Sequence, residues 1–294
     1  MNNEELFKSY INMANLYRRE YNYSKAELFY NKALEIYKIL PEEESSKLQI
    51  RALNIYEHLS VIYNSENRFQ KTKDAYMESL TIYKRIISND SDRYKDELAI
   101  LLFDLGSLYF KHNRQNRAVE IYILALEILL HLYQKEPNRY RDTLAIVFNN
   151  LAKIYTSQLD YPNALSAYRE SLKYYISLAD ENPAKYSPYV ATIFKDLASF
   201  YKMQKKMGYA QYFHLKSVEI YNDLSHYNES VYSLKLVLSI IDGVTLYNQH
   251  TLSLYQAEAI LRNNIGERKR GELLEKIYYL RQGKLSQTKR SDLI

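Results

Sequence analysis

The chain has 294 residues, of which 47% are hydrophobic and 26% charged, so it can bury a substantial core and is not a disordered segment. It holds only six glycines and five prolines and no cysteine. This composition argues against a turn-rich β-sandwich or barrel, and it excludes a disulfide framework, thiolate catalysis and cysteine-based zinc sites. An all-helical protein is the class that remains.

The net charge of +5 is concentrated at one end of the chain. Residues 261–294 hold nine basic and four acidic side chains, whereas the other 260 residues carry 31 of each sign. A neutral body argues against a nucleic-acid groove along the whole chain, because phosphate binding needs an excess of Lys and Arg along the contact path. We find neither a signal-peptide pattern at the start nor a stretch of about 18 uncharged apolar residues, so we expect a soluble, cytoplasmic protein.

A five-residue motif, here called the pentad, recurs every 46 residues. Its copies are MANLY (13–17), LSVIY (59–63), LGSLY (105–109), LAKIY (151–155), LASFY (197–201) and GVTLY (243–247). A second motif keeps the same spacing, as ALEIY (33–37), SLTIY (79–83), ALEIL (125–129), SLKYY (171–175) and SVEIY (217–221). Two motifs that stay in step over five or six copies predict a repeated structural unit.

The sequence predicts two helices in each 46-residue unit. In the fourth copy, residues 142–157 carry apolar side chains at helical spacing, a break follows at 159–161, and Pro162 lies where the first turn of a second helix tolerates it. Small residues recur within the helices, as Ala14, Ser60, Gly106, Ala152, Ala198 and Val244 in the first helix of each unit. Small side chains let helix axes approach closely, and we expect the large pentad tyrosines to fill the core beside them.

This order of small and large positions, seen in LAKIY (151–155), Tyr161, Ala164, Tyr168 and Ser171, resembles the tetratricopeptide repeat (TPR), in the long-unit form of kinesin-light-chain-like and bacterial proteins. A HEAT-type array has a similar unit length, but the small-residue columns favour the TPR. The resemblance implies an all-α, right-handed α-solenoid with six two-helix repeats over residues 1–265. We expect residues 266–282 to form a capping helix, with Leu273, Leu274, Ile277 and Leu280 as its apolar stripe, and residues 283–294 to form a basic, flexible tail.

No catalytic motif accompanies the repeat. The sequence has no glycine-rich phosphate loop, no GxSxG and no HExxH, and its six histidines never fall at metal-ligand spacing on one helix. We therefore expect neither an enzyme nor a metal or cofactor site.

A solenoid usually binds its partner on the concave face that its first helices line. Residues just before each pentad, at its third position and two beyond its end share the stripe beside the buried one. The candidate partner-binding residues on that stripe are Asn12, Asn15, Arg19, His58, Asp104, Ser107, Lys111, Asn150, Lys153, Asp196 and Ser199. The scarcity of Glu and Lys favours a groove, and a merely solvated helix face is the alternative.

The sequence thus favours a non-catalytic protein-interaction scaffold that binds a peptide or a partner's helix. Some relatives grip a terminal carboxylate with Lys, Asn and Arg on successive first helices, but here only Asn150 and Lys153 match, and Asp196 stands where a cation belongs. The alternative function is a regulatory protein whose basic residues between Arg262 and Arg290 contact nucleic acid or an anionic membrane. A basic cap helix without a ligand explains the same residues.

Overall fold

The computed structural model describes residues 2–89, 94–247, 253–264 and 267–282, and within these ranges the chain forms thirteen α-helices. Consecutive helices pack as pairs, so the expected all-α solenoid of two-helix units is confirmed. The chain divides into two compact units, Met1–Pro137 and Asn138–Ile294. The expected tail, residues 283–294, lies outside the described residues.

The helices of the first unit are α1 (Asn3–Arg19), α2 (Tyr23–Ile39), α3 (Glu42–Ser65), α4 (Phe69–Asn89), α5 (Lys95–Lys111) and α6 (Gln115–Lys135). Those of the second are α7 (Pro137–Ser157), α8 (Tyr161–Glu181), α9 (Pro183–Met203), α10 (Met207–Tyr227), α11 (Glu229–Tyr247), α12 (Ser253–Asn264) and α13 (Glu267–Arg281). The even-numbered helices through α12 begin 46 residues apart, so the sequence period is also the structural period.

The turns inside the first five 46-residue repeats share one backbone conformation and do not use glycine for it. Five residues at 46-residue spacing have positive φ angles between 55° and 61°, namely Tyr21, Asn67, Asn113, Leu159 and Lys205. The N–H group of the next residue donates to the carbonyl of the pentad tyrosine, for example from Asp160 to Tyr155 at 2.9 Å. This is the Schellman pattern, which ends a helix by satisfying its last carbonyls.

The core is built where the small residues of one helix meet a tyrosine of the next. All six small residues of the first helices are buried, and so are four tyrosines that recur every 46 residues in the even-numbered helices, namely Tyr30, Tyr76, Tyr122 and Tyr168. A Cβ atom added to Gly106 would lie 2.7 Å from two ring atoms of Tyr122. The expectation that every pentad tyrosine is core was wrong. Only Tyr63 and Tyr247 are buried, while the others lie at the edge, where a tyrosine keeps its hydroxyl in water.

Helix α11 is the one described helix that is long and apolar enough to span a membrane. In this chain it is a core helix of the second unit: Leu236, Val237, Ile240 and Ile241 are at most 2% exposed and pack in one cluster with α12 and α13. In α13, Ile277 and Leu280 are buried in that cluster, and Leu273 and Leu274 pack against it. The last described helix therefore packs on the apolar residues of α11 and α12.

Candidate functional site

The odd-numbered helices carry the predicted binding stripe, and in the first unit this stripe opens into a cavity between α1 and α3. The cavity has a volume of about 180 Å³. Three predicted residues line it, Asn12, Asn15 and His58. Sequence reasoning missed its other polar lining residues, which are Lys8, Tyr30, Arg51 and Asn54.

Tyr30 of α2 lines this cavity and contacts two of its other lining residues, Asn15 and His58. Its ring is fully buried, its hydroxyl donates to Asn15 Oδ1 at 2.6 Å, and its ring centroid lies 5.7 Å from that of His58. Burial raises the pKa of Tyr30, an effect that a hydrogen bond with the Arg18 guanidinium opposes. Burial, and then the positive charge of Arg18, lower the pKa of His58. His58 is therefore neutral at neutral pH and acts there as a polar, uncharged wall.

A second cavity of about 380 Å³ shares His58 and extends along the same two helices. Arg18 and Arg19 line it, together with Tyr21, Tyr23, Val61, Ile62 and Ser65. We refer to the two cavities together as the α1–α3 surface. Four cationic side chains line this surface, and its described lining residues include no carboxylate. Lys8 pairs with Glu4 one turn away on α1, at 2.5 Å.

On α5, the predicted stripe residues are engaged within the first unit. Ser107 and the Tyr122 hydroxyl lie 3.0 Å apart, and Lys111 Nζ donates to Asn67 Oδ1 at 3.0 Å. Burial raises the pKa of Asp104 to about 6. Because Ser107 and Lys111 already have partners within the first unit, they present fewer free hydrogen-bonding groups to a ligand than the α1–α3 surface does.

In the second unit, the predicted cation and carboxylate neutralise each other. Lys153 Nζ lies 3.1 Å from Asp196 Oδ2, and the neighbouring Lys195 pairs with Asp242 at 2.8 Å. The Ser199 hydroxyl lies 3.3 Å from that of Tyr247, and Asn150 is half-buried on α7. Asp196, which the sequence analysis placed where a cation belongs, is thus the partner of Lys153.

Three basic side chains of the C-terminal region make contacts within the second unit. Arg262 and Arg281 both bind Glu258, at 2.7 and 2.5 Å, and the Arg281 guanidinium lies 3.9 Å from the ring centre of Tyr255. Burial lowers the pKa of Lys276, which is half-buried. The Arg281 contacts join α13 to α12, and both ion pairs reduce the positive charge available for phosphate groups.

The described residues contain no group of three His, Asp or Glu side chains arranged to hold a metal ion. The remaining large cavity of the first unit, about 450 Å³ between α2, α3 and α4, has mixed charge, with Lys38 and Lys71 beside Glu35, Asp74 and Glu78. The α1–α3 surface therefore differs from its surroundings in being cationic and in collecting several amide side chains.

Comparison with known proteins agrees with this architecture. Residues 7–40 match the family described as Tetratricopeptide repeat. No curated protein matches the chain. Among solved structures, the apo form of RapI is 15% identical, with a TM-score of 0.58 over 98% of this chain and 94% of that one. BtubC (BKLC) from P. vanneervenii is 19% identical, with a TM-score of 0.54 over 96% and 92% of the two chains. At such identities these likenesses concern the fold alone.

Proposed function

From the family match of residues 7–40 and the repeated helix pairs, we propose that this chain is a tetratricopeptide-repeat protein and a non-catalytic scaffold that binds a segment of a partner protein on the faces of its odd-numbered helices. The observation that carries this proposal is the α1–α3 surface, where predicted stripe residues from the first two 46-residue repeats line one cavity. No catalytic family is found among the comparisons.

The composition of this surface suits a protein ligand. Asn12 and Asn54 are exposed amides, and an amide presents both a donor and an acceptor, as a peptide group does. Val61 and Tyr21 add exposed apolar area, at 68% and 79% exposure, beside the polar groups. Apolar area with a few fixed hydrogen-bonding groups is the usual make-up of a peptide-binding groove.

The proposal is tested by changing the surface without disturbing the fold. The double variant Asn12→Ala with Asn54→Ala removes two exposed amides from the cavity. A matched control, Gln134→Ala with Gln282→Ala, removes two exposed amides from α6 and from the end of α13. Affinity purification with quantitative mass spectrometry should recover the same partners with the wild-type chain and the control, and should lose them with the Asn12/Asn54 variant.

Circular dichroism should show equal helicity and thermal midpoints for all three proteins, since surface changes away from packing rarely exceed about 0.5 kcal/mol. Partners retained equally by both variants would move the binding site off the α1–α3 surface. The absence of any partner specific to the wild-type chain would contradict the scaffold function itself.

A further inference from the structure

The charge of the α1–α3 surface points to the chemistry of its ligand. In the second unit the stripe cations are neutralised, since Lys153 and Lys195 each hold an aspartate of the next odd-numbered helix. On the α1–α3 surface, Arg18, Arg19 and Arg51 line the two cavities, and no carboxylate is among the described lining residues. A cluster of cationic side chains on one surface attracts anionic groups.

Arg18 carries a hydrogen-bond donor that the fold leaves unused. Its guanidinium contacts the Tyr30 hydroxyl, while its Nε is buried and has no acceptor within the described part of the chain. A buried donor without an acceptor costs about 1–3 kcal/mol. Arg18 also lines the larger cavity, where a carboxylate would form a charge-assisted hydrogen bond with the accessible part of its guanidinium, and such bonds to Arg are among the strongest in proteins.

The amides indicate the conformation of the ligand. Asn12, Asn15 and Asn54 line the smaller cavity. The side-chain oxygen of Asn15 accepts a hydrogen bond from the Tyr30 hydroxyl, and the Asn15 amide nitrogen is a donor. A helical ligand satisfies its backbone groups internally and has none to offer these amides. An extended segment presents free N–H and C=O groups at every residue.

We propose that the α1–α3 surface binds an extended, acidic segment of a partner protein, with Asp or Glu side chains at Arg18 and Arg51 and backbone groups at Asn12 and Asn54. This proposal rests on the scaffold function and adds to it the charge and the conformation of the bound segment. The Asp and Glu side chains within the segment provide the negative charge, so a free C-terminal carboxylate is not required.

The test is a selection of short random linear peptides on the full, folded chain. We expect the enriched sequences to be rich in Asp and Glu and poor in Lys and Arg. The best peptide is then synthesised in four forms: free acid, C-terminal amide, Asp/Glu replaced by Asn/Gln, and Asp/Glu replaced by Lys. The free acid and the amide should bind equally, and the Asn/Gln form at least about tenfold more weakly, as the loss of a charged hydrogen bond implies.

Variants of the chain then locate the site. Arg51 is exposed, so Arg51→Ala should keep the fold and weaken binding of the acidic peptide about tenfold. Arg51→Glu should weaken it further and improve binding of the Lys form. Arg18→Lys keeps the charge but loses the planar guanidinium with its several donors, and it should bind more weakly than the wild type but more tightly than Arg18→Ala. The control Arg117→Ala removes an exposed cation of α6 and should change nothing.

Three results would overturn the inference. The first is enrichment of peptides without excess acidic residues, or of acidic peptides that ignore Arg18 and Arg51; this would leave the scaffold function intact. The second is no enrichment of any peptide, which would contradict an extended ligand while partners recovered by affinity purification still support a scaffold. The third is equal binding of a single-stranded oligonucleotide of matched charge, which would show a general polyanion site.

Discussion

The contact between Gly106 and Tyr122 gives the sharpest test of how these repeats pack. Glycine inside a helix costs about 1 kcal/mol relative to alanine, so Gly106→Ala would stabilise the chain if packing allowed it. The new Cβ, however, would lie 2.7 Å from two atoms of a fully buried ring whose hydroxyl is held by Ser107. Overpacking of this kind costs about 1–3 kcal/mol. We expect the clash to win, with a net loss of about 1–2 kcal/mol.

The measurement is urea unfolding followed by far-ultraviolet circular dichroism, with hydrogen exchange over residues 95–135 to locate the effect. Gly271→Ala is the matched control, because a Cβ there meets nothing within 4 Å and only the gain in helix propensity remains. It should raise stability by up to about 1 kcal/mol. The two glycine substitutions should therefore have opposite signs.

A double-variant cycle separates the clash from any other effect. In a Tyr122→Leu background the ring is absent, and Gly106→Ala should become neutral or stabilising although Tyr122→Leu alone is destabilising. If Gly106→Ala stabilises the wild-type chain as much as Gly271→Ala does, the small residue is not there to admit the tyrosine, and the packing argument fails for the four repeats that carry a tyrosine in this column.

Four further predictions concern acid–base behaviour, the turns and the basic end. Because burial raises the pKa of Asp104 to about 6, above the unfolded value of about 3.9, the folded state binds more protons between these values; Asp104→Asn should therefore stabilise the chain at neutral pH, with the gain disappearing below about pH 4 in urea titrations. The reverse sign holds for His214, a buried histidine whose pKa is lowered by burial: stability should fall as the pH drops through about 6.5, and His214→Phe should remove this loss, whereas replacing the exposed His226 with Gln should not. Leu159→Gly should raise the thermal midpoint, because leucine at a φ of 61° costs about 1–2 kcal/mol, more than the entropy glycine adds to the unfolded chain. Finally, the full chain should not bind duplex DNA or anionic vesicles. A binding constant that falls by about 0.7–0.9 log units per phosphate contact for each tenfold rise in salt concentration would favour the alternative function of the basic end.

The repeat made most of the fold predictable, because a core position has the same requirement in every unit. Columns of small residues and tyrosines therefore keep their 46-residue spacing, and helix pairing follows from them. Two features were less visible. The turns use Leu159 and Lys205 where glycine is the usual signal, so their left-handed conformation is set by the packing of the flanking helices rather than by local preference. The depth of each tyrosine column depends on three-dimensional geometry, which spacing alone does not supply.

The proposed binding surface follows the opposite logic, and this explains why Lys8, Arg18 and Arg51 were missed. A column that binds one partner at one place has no reason to repeat: the positions 46 residues before and after Arg51 hold Glu5 and Glu97, and those 46 and 92 residues after Lys8 hold Asn54 and Ile100. The predicted stripe includes His58 and Asn12, which line the cavity, and extending it one or two turns toward each helix start reaches Lys8, Asn54 and Arg51. In a repeat protein, periodic positions therefore report the core, and the positions on the exposed stripe that break the period are where a ligand's chemistry is to be sought.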